Sequence, residues 1–208
     1  MVQGQLAAKD SPVIAFILIL VALVVIGAVT SIVVAQANKR GIGGYISGIP
    51  ELSGDYIRVG EDGRTALVID ESRLKIALVY RSGEGIFHRL LSYGDVISAQ
   101  IHEDGFVVTS TSRASQLAGA AVGGVLLGGV GAVVGAVTGK QTQVAKVKRV
   151  ELRLVVSDVA RPIHDVVFQD VESKRDGLIY QHSIQQAREW LGRFEAVIHR
   201  SKATPRED

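Results

Sequence analysis

The stretch TALVIDESRLKIALVY, residues 65–80, indicates the fold class because it holds two β-rich segments around a polar turn. Thr65 to Asp70 and Leu74 to Tyr80 are rich in aliphatic residues and have the length of ordinary strands. Glu71-Ser72-Arg73 between them suits the turn of a hairpin. The stretch therefore predicts a pair of antiparallel strands.

Further strands are predicted outward from this hairpin. Asp104-Gly105 is a tight-turn signal between two β-rich segments. Apolar residues alternate with charged ones around residues 150–156, as in a half-buried strand. The predicted segments after residue 80 are Ile86 to Leu90, Val96 to His102, Phe106 to Ser110, Val150 to Val156 and Ile163 to Gln169. With the first hairpin they make about seven strands.

The periodicity changes towards the carboxyl end of the chain, where apolar residues recur at helical spacing. They lie on one side of a predicted amphipathic helix, and the residues between them are mainly polar or charged. The predicted core side of this helix consists of Ile184, Ala187, Trp190, Leu191, Phe194 and Ile198. Residues 201–208 are rich in charge, and we expect them to be disordered.

The order of about seven strands and one helix resembles that of pleckstrin-homology-like (PH-like) and GRAM-like domains of small bacterial membrane proteins. The segments VIDESRLKIALVY, residues 68–80, and YGDVISAQIHEDG, residues 93–105, carry the resemblance. Trp190 lies where PH helices commonly bury a tryptophan. The resemblance implies an α+β domain over residues 56–200, in which the last helix closes one corner of an antiparallel β-sandwich or barrel.

PH domains that bind phosphoinositides usually carry clustered basic residues across the first hairpin. Here Arg64, Arg73 and Lys75 are present. Four acidic residues accompany them, namely Glu61, Asp62, Asp70 and Glu71. The mixed charge suits the protein-binding role that PH-like domains often have, with a lipid headgroup as the alternative ligand.

A second apolar block, AGAAVGGVLLGGVGAVVGAVTGK, occupies residues 118–140 inside the predicted domain. Two mismatches argue against a phosphate-binding loop, since Val134 and Gln141 stand where that motif needs glycine and Ser or Thr. A single transmembrane crossing would separate the strands before the block from those after it. Both groups would then have open sheet edges, which argues against this interpretation.

The third interpretation, which we favour, is a helical hairpin inserted over residues 114–140. Glycines four residues apart would give each arm a smooth strip, so that the two backbones approach closely. These glycines are Gly119, Gly123, Gly124, Gly128, Gly131, Gly135 and Gly139. The block resembles the glycine-zipper hairpins of several bacterial envelope proteins, which implies self-association or peripheral membrane insertion. A flexible apolar loop is the remaining alternative.

Val13 to Ala35 is an apolar segment without a charged residue. As a helix it would be about 34 Å long, enough for a hydrocarbon core of about 30 Å. We therefore expect a single-pass membrane anchor after a short amino-terminal segment, residues 1–12. A cleaved signal peptide is the alternative, since Ala35-Gln36-Ala37 has suitably small residues, but its apolar core would be only about 7–15 residues long. A glycine-rich juxtamembrane linker is predicted over residues 36–55.

Basic residues beside the apolar segments indicate headgroup contacts and orientation. Lys39 and Arg40 follow the anchor, whereas Lys9 and Asp10 nearly cancel before it. The positive-inside rule therefore favours a cytoplasmic domain. The candidate headgroup contacts are Lys39, Arg40, Arg113, Lys140, Lys146 and Lys148.

No sequence pattern points to catalysis, a cofactor or a metal ion. The chain has no cysteine, and its five histidines are scattered over different predicted elements. His164 and Asp165 are adjacent on a predicted strand, so their side chains point to opposite faces and cannot form a catalytic pair. A net charge of +2 and an aromatic content of 5% argue against nucleic-acid binding.

These observations predict a membrane-anchored, non-catalytic binding or scaffolding module. Its PH-like domain would bind an unidentified protein partner or a lipid headgroup, and its glycine hairpin would mediate self-association or membrane contact. The alternative function is an oligomerising membrane-active effector, whose glycine hairpins perturb the bilayer or form a pore.

Overall fold

The computed structural model describes residues 12–112 and 146–203. In these ranges helix α1 is followed by eight strands, a 3-10 turn and helix α2. The elements are α1 (Pro12–Ser47), β1 (Tyr56–Val59), β2 (Thr65–Asp70), β3 (Lys75–Ser82), β4 (Gly85–Ser92), the 3-10 turn (Tyr93–Asp95), β5 (Val96–Glu103), β6 (Phe106–Ser112), β7 (Lys146–Val156), β8 (Ile163–Lys174) and α2 (Leu178–Ala203).

The described strands form two antiparallel four-stranded sheets and no closed barrel. Sheet A has the order β1-β2-β3-β4, and sheet B has the order β6-β5-β7-β8. Seven strands correspond to the segments predicted from the sequence. The additional strand is β1, whose four residues are too few to show an alternating pattern.

The main hydrophobic core lies between the two sheets and beneath α2. Leu67 and Ile69 of β2 face this core, together with Ile76 and Leu78 of β3. The six residues predicted for the core side of α2 are all buried, and Trp190 is 6% exposed. α2 extends to Ala203, so residues 201–203 are helical rather than disordered, while residues 204–208 lie outside the described part of the chain.

α1 is longer than the predicted anchor, because it continues as one helix to Ser47. The expectation of a linker over residues 36–55 is corrected, since only residues 48–55 are irregular. The helix persists because Ile42 and Ile46 lie on one side of it and are buried on the outer face of sheet A. Each buried isoleucine contributes about 1.5–3 kcal/mol, which offsets the poor helix propensity of the neighbouring glycines. The outer face presents Ala66, Val68, Ala77 and Val79.

The glycine block connects β6 to β7, which flank β5 on either side and run parallel to each other. Ser112 at the end of β6 pairs with Ser98. Val150 of β7 pairs with Glu103, the last residue of β5. β7 begins four residues earlier, at Lys146, so Lys146 lies past the end of β5. Five positions along β5 and four along β7 separate the two ends of the block. That separation is about 30 Å at about 3.3 Å per residue.

This topology places the strands before and after the block in one sheet, which excludes a single membrane crossing between them. It also shows that the block leaves and rejoins the sheet at opposite ends, so a hairpin with adjacent ends needs additional chain to cover the distance. The helical hairpin predicted over residues 114–140 lies outside the described residues, as do Arg113 and Lys140.

Candidate functional site

A cleft of about 390 Å³ lies between the two sheets and carries five arginine side chains. Each arginine comes from a different strand, turn or loop, so the cluster exists only in the folded chain. The five are Arg64, Arg81, Arg89, Arg149 and Arg161. We refer to this feature as the arginine cleft.

The turn before β2 fixes the position of Arg64. Gly63 in this turn has a φ of 63°, a left-handed conformation that glycine adopts without steric cost. The amide of Arg64 donates a hydrogen bond of 3.0 Å to Oδ1 of Asp62. The amide of Gly60 donates one of 2.8 Å to the carbonyl oxygen of Thr65. These bonds close the turn and hold Arg64 beside the start of β2.

Two of the five guanidinium groups are neutralised by carboxylates. Arg89 forms an ion pair with Asp158. Nε of Arg149 lies 2.6 Å from Oε2 of Glu151. These two arginines therefore contribute little net charge to the cleft.

The carboxylate of Asp165, which also lines the cleft, is neutralised in turn. Arg153 holds both of its oxygens, at 2.7 and 2.8 Å. A bidentate pair of this kind fixes geometry as well as charge, so Asp165 is not available to neutralise a neighbouring guanidinium.

The other three guanidinium groups have no carboxylate partner among the residues that the structure describes. That of Arg161 lies 4.7 Å from the ring centroid of Tyr80. Nη2 of Arg81 donates to the carbonyl oxygen of Asn38 at 3.2 Å. Nε of Arg81 is buried without an acceptor in the described part of the chain. Together with Arg64, these groups outnumber the one lining carboxylate that has no ion pair in the described part of the chain, that of Asp62, so the cleft keeps a net positive charge.

His164 lines the same cleft but contributes no charge at neutral pH. Its ring is buried, and Nε2 donates to the carbonyl oxygen of Ala66 at 3.3 Å. Burial lowers the pKa of His164 to about 4, because the charged imidazole would lose its hydration. The side chain of Asp165 meets Arg153 instead, so His164 and Asp165 form no hydrogen-bonded pair.

α1 holds the cleft next to the apolar segment of the chain. By length and composition α1 is able to cross a membrane, and its first charged residue, Lys39, forms an ion pair with Glu61 of the turn before β2. Gly63 packs so closely on α1 that a Cβ there would lie 2.8 Å from Cβ of Asn38. Further along, Oη of Tyr45 and Nδ1 of His88 form a hydrogen bond of 2.8 Å.

The candidate headgroup contacts predicted from the sequence do not assemble in the arginine cleft. Lys146 pairs with Glu172 at 2.6 Å. Lys148 is exposed, and its amide is bound to Asp104. Arg40 is exposed on α1, beside the paired Lys39.

Among the three basic residues of the first hairpin, the structure brings only Arg64 into the cleft. Arg73 is held instead by Asp70, at 2.9 Å. Sequence reasoning missed Arg81, Arg89 and Arg161, because they converge only when the two sheets pack together. Arg81 lies near the end of β3 and Arg161 lies in the loop between β7 and β8, whereas Arg89 lies in the middle of β4, so no local signal is common to the three.

Within residues 12–112 and 146–203, no group of three or more His, Asp or Glu side chains is arranged to hold a metal ion. The arginine cleft supplies hydrogen-bond donors and an excess of positive charge. Such an arrangement attracts and orients an anion, and phosphate oxygens suit the forked geometry of guanidinium groups.

A family model described as a glycine-zipper-containing PH domain matches residues 56–170. The chain is 29% identical over 127 residues to an immunity protein of Bacillus phage SPbeta, a match that covers 57% of this chain and 61% of that protein. It is also 29% identical over 127 residues to the SPbeta prophage-derived uncharacterized membrane protein YomJ of Bacillus subtilis (strain 168). This match covers 57% of this chain and 54% of YomJ. The matches thus span less than two thirds of either relative. No solved structure matches the chain.

Proposed function

The chain belongs to the family of PH domains that contain a glycine zipper, and from this premise we propose that it is a membrane-anchored, non-catalytic binding module. Its ligand in the arginine cleft is an anionic, phosphate-bearing headgroup. The observation that carries the proposal is that Arg64, Arg81 and Arg161 have no carboxylate partner in the described ranges, in a cleft built against α1.

The position of the cleft supports a lipid ligand. α1 carries no charged residue up to residue 38, and Asn38 contacts both Gly63 and Arg81. If α1 crosses the bilayer, Asn38 lies near the headgroups, and the cleft lies near them too. Anionic lipids give the cytoplasmic leaflet a negative surface potential, which attracts unpaired guanidinium groups. Lys39 and Arg40 beside the anchor favour the same, cytoplasmic, orientation.

The remaining surface of the domain would serve a protein partner. Anchoring raises the local concentration of the domain at the membrane, so a partner there needs only modest affinity.

We further propose that the glycine block, as a helical hairpin over residues 114–140, mediates self-association or a second membrane contact. The spacing of its glycines supports this role. A dye-leakage assay on liposomes separates this role from a membrane-active one, in which leakage would rise with protein density.

The relative named as an immunity protein supports a second candidate function. For this candidate function, the chain binds a partner that would otherwise harm the cell. The test is to express the chain in a Bacillus subtilis strain that lacks the SPbeta prophage and to challenge the cells with phage SPbeta. Protection that is lost in the variant Arg64→Gln/Arg161→Gln would connect immunity to the cleft, whereas full sensitivity of expressing cells would count against this candidate.

The ligand is tested with the full chain in nanodiscs of zwitterionic lipid. The nanodiscs are titrated with short-chain phosphatidylglycerol in one arm and with inorganic phosphate in the other. Binding of phosphatidylglycerol alone indicates a lipid ligand, and equal binding of both indicates free phosphate. Arg64→Gln and Arg161→Gln should each weaken binding by about tenfold or more, because each removes a charge-assisted hydrogen bond worth about 1.5–3 kcal/mol.

The matched control is Arg188→Gln, which removes an exposed arginine of α2 outside the cleft. It should leave binding unchanged. Equal losses in Arg188→Gln and Arg64→Gln would show that only net charge matters and would remove the cleft from the proposal. Absence of binding in both arms would overturn it.

A further inference from the structure

We infer that Arg81 couples occupancy of the arginine cleft to the docking of α1 on sheet A, so that each strengthens the other. The inference rests on the proposed function, since it requires an anion in the cleft. If the inference holds, the headgroup composition of a membrane affects the equilibrium between docked and undocked α1 on sheet A.

Arg81 is the residue that belongs to both features. It lies near the end of β3 and lines the cleft. Its Nη2 atom donates to the carbonyl oxygen of Asn38 on α1 at 3.2 Å. The helix passes so close that a Cβ at Gly41 would lie 2.8 Å from the same Nη2 atom. The guanidinium group therefore sits between α1 and the cleft.

Most of the hydrogen-bonding capacity of Arg81 is unused. A guanidinium group has five N–H donors. In the described part of the chain, the guanidinium group of Arg81 has one hydrogen-bond acceptor, the backbone carbonyl oxygen of Asn38. Nε is buried and has no acceptor among the described residues. Nη1 also has no acceptor among the described residues and, unlike Nε, is not buried, so a phosphate in the cleft supplies an acceptor for it, and a charged acceptor forms the stronger bond.

The planar guanidinium group transmits this bond to α1. Because its nitrogen atoms are held in one rigid plane, an anion that fixes Nη1 also fixes the direction in which Nη2 points. Nη2 then stays on the carbonyl oxygen of Asn38, which favours the docked helix. By linkage, any change that favours docking must raise the affinity for the anion by the same factor.

The docked part of α1 is suited to such adjustment. Gly41, Gly43 and Gly44 lie in this part, and glycine lowers helix propensity. A Cβ at Gly43 or Gly44 would meet no atom within 4 Å, so close packing does not require glycine at these two positions. Residues of higher helix propensity would fit at these two positions, so the helix is less stable here than the packing allows. A small free-energy contribution from Arg81 is therefore able to shift the docking of α1.

The experiment measures both ends of the coupling on the full chain in zwitterionic nanodiscs, with inorganic phosphate and short-chain phosphatidylglycerol as probes. Saturating probe should slow hydrogen exchange of the amides of residues 42–47 by about fivefold or more. The slowing should be lost in Arg81→Gln. In Arg64→Gln, which weakens binding without touching α1, saturating probe should still slow exchange.

The reverse effect, that of helix docking on probe affinity, is measured with substitutions at residues of α1 that do not line the cleft. Ile42→Ala weakens docking and should lower probe affinity by about fivefold or more, whereas Gly43→Ala strengthens the helix and should raise it. In an Arg81→Gln background neither change should affect affinity. Because Gly43→Ala favours the native helix, it keeps the test valid if Ile42→Ala fails to fold.

The outcomes separate the two proposals. If neither probe binds the wild-type chain, the proposed function and the coupling are both overturned. If a probe binds but exchange at residues 42–47 is unchanged, or slows equally in Arg81→Gln, the coupling is overturned and the proposed ligand stands.

Discussion

The backbone amide of Asp104 donates a hydrogen bond of 3.0 Å to the carbonyl oxygen of Arg149. Asp104 precedes the glycine block and Arg149 follows it, so this bond joins the two parts of the domain across the block. Oδ1 of Asp104 also accepts a hydrogen bond of 2.8 Å from the amide of Arg149. The two residues therefore lie on the same side of any membrane that α1 crosses.

This arrangement predicts the outcome of a labelling experiment. The native chain has no cysteine, and Ser82 and Lys202 are exposed residues on either side of the block in sequence. Ser82→Cys and Lys202→Cys should react equally with a membrane-impermeant maleimide in intact cells. Permeabilised cells are the control for reactivity. Labelling of one position from outside and of the other only after permeabilisation would contradict the single folded domain.

Gly63 should be essential for the contact between α1 and sheet A. Gly63→Ala introduces a methyl group 2.8 Å from Cβ of Asn38, at a residue whose φ is 63°. The left-handed conformation alone costs a non-glycine residue about 1–2 kcal/mol. We expect a loss of about 2 kcal/mol or more in the free energy of unfolding, measured by Trp190 fluorescence in detergent. Gly43→Ala is the matched control and should stabilise the chain by up to about 1 kcal/mol; equal losses would contradict the packing described.

Acid should destabilise the domain through His164. Its pKa is lowered to about 4 by burial, so between pH 6.5 and 4 the unfolded chain binds a proton that the folded chain does not. Stability therefore falls as the pH falls through this window, by about 2 kcal/mol between pH 7 and pH 5. His164→Gln should abolish most of this difference in thermal unfolding measured at the two pH values. An unchanged pH dependence in the variant would exclude His164 as its source.

The hydroxyl group of Tyr180 should contribute to stability through a buried carboxylate. Oη of Tyr180 donates to Oε1 of Glu103 at 2.7 Å, and Arg175 pairs with the other oxygen. Because Glu103 is only 5% exposed, Tyr180→Phe leaves a buried acceptor short of one donor, at a cost of about 1–3 kcal/mol. Denaturant unfolding measures the loss.

Tyr56→Phe is the control for this change. The ring of Tyr56 lies 4.9 Å from the guanidinium carbon of Arg193, and its hydroxyl group has no hydrogen bond in the described part of the chain. The substitution should therefore change stability by no more than about 0.5 kcal/mol. A loss comparable to that of Tyr180→Phe would mean that the Glu103 contact contributes nothing specific.

Patterns within short segments predicted the described secondary structure well. The segment Thr65–Asp70 coincides with β2, and Ile163 to Gln169 lies within β8. These predictions succeed because a two-residue or 3.6-residue period reports directly which side of an element is buried. β1 escaped prediction because Tyr56–Val59 is too short to show a period.

The continuation of α1 to Ser47 could not be predicted from its own residues. Glycines at 41, 43 and 44 indicate a linker, and only the outer face of sheet A, which buries Ile42 and Ile46, makes the helical conformation favourable. Tertiary burial here overrides local propensity, as it commonly does.

By itself, the sequence determined the apolar segment of α1, most of the strands, the buried side of α2 and the family to which the domain belongs. Only the tertiary structure decided that Arg64, Arg81 and Arg161 share one cleft, that Asn38 reaches Arg81, and that the glycine block leaves and rejoins sheet B at opposite ends. The physical reason is range: burial and turn preferences act over a few residues, whereas the cleft and the crossover depend on how strands distant in sequence pair and how the two sheets pack.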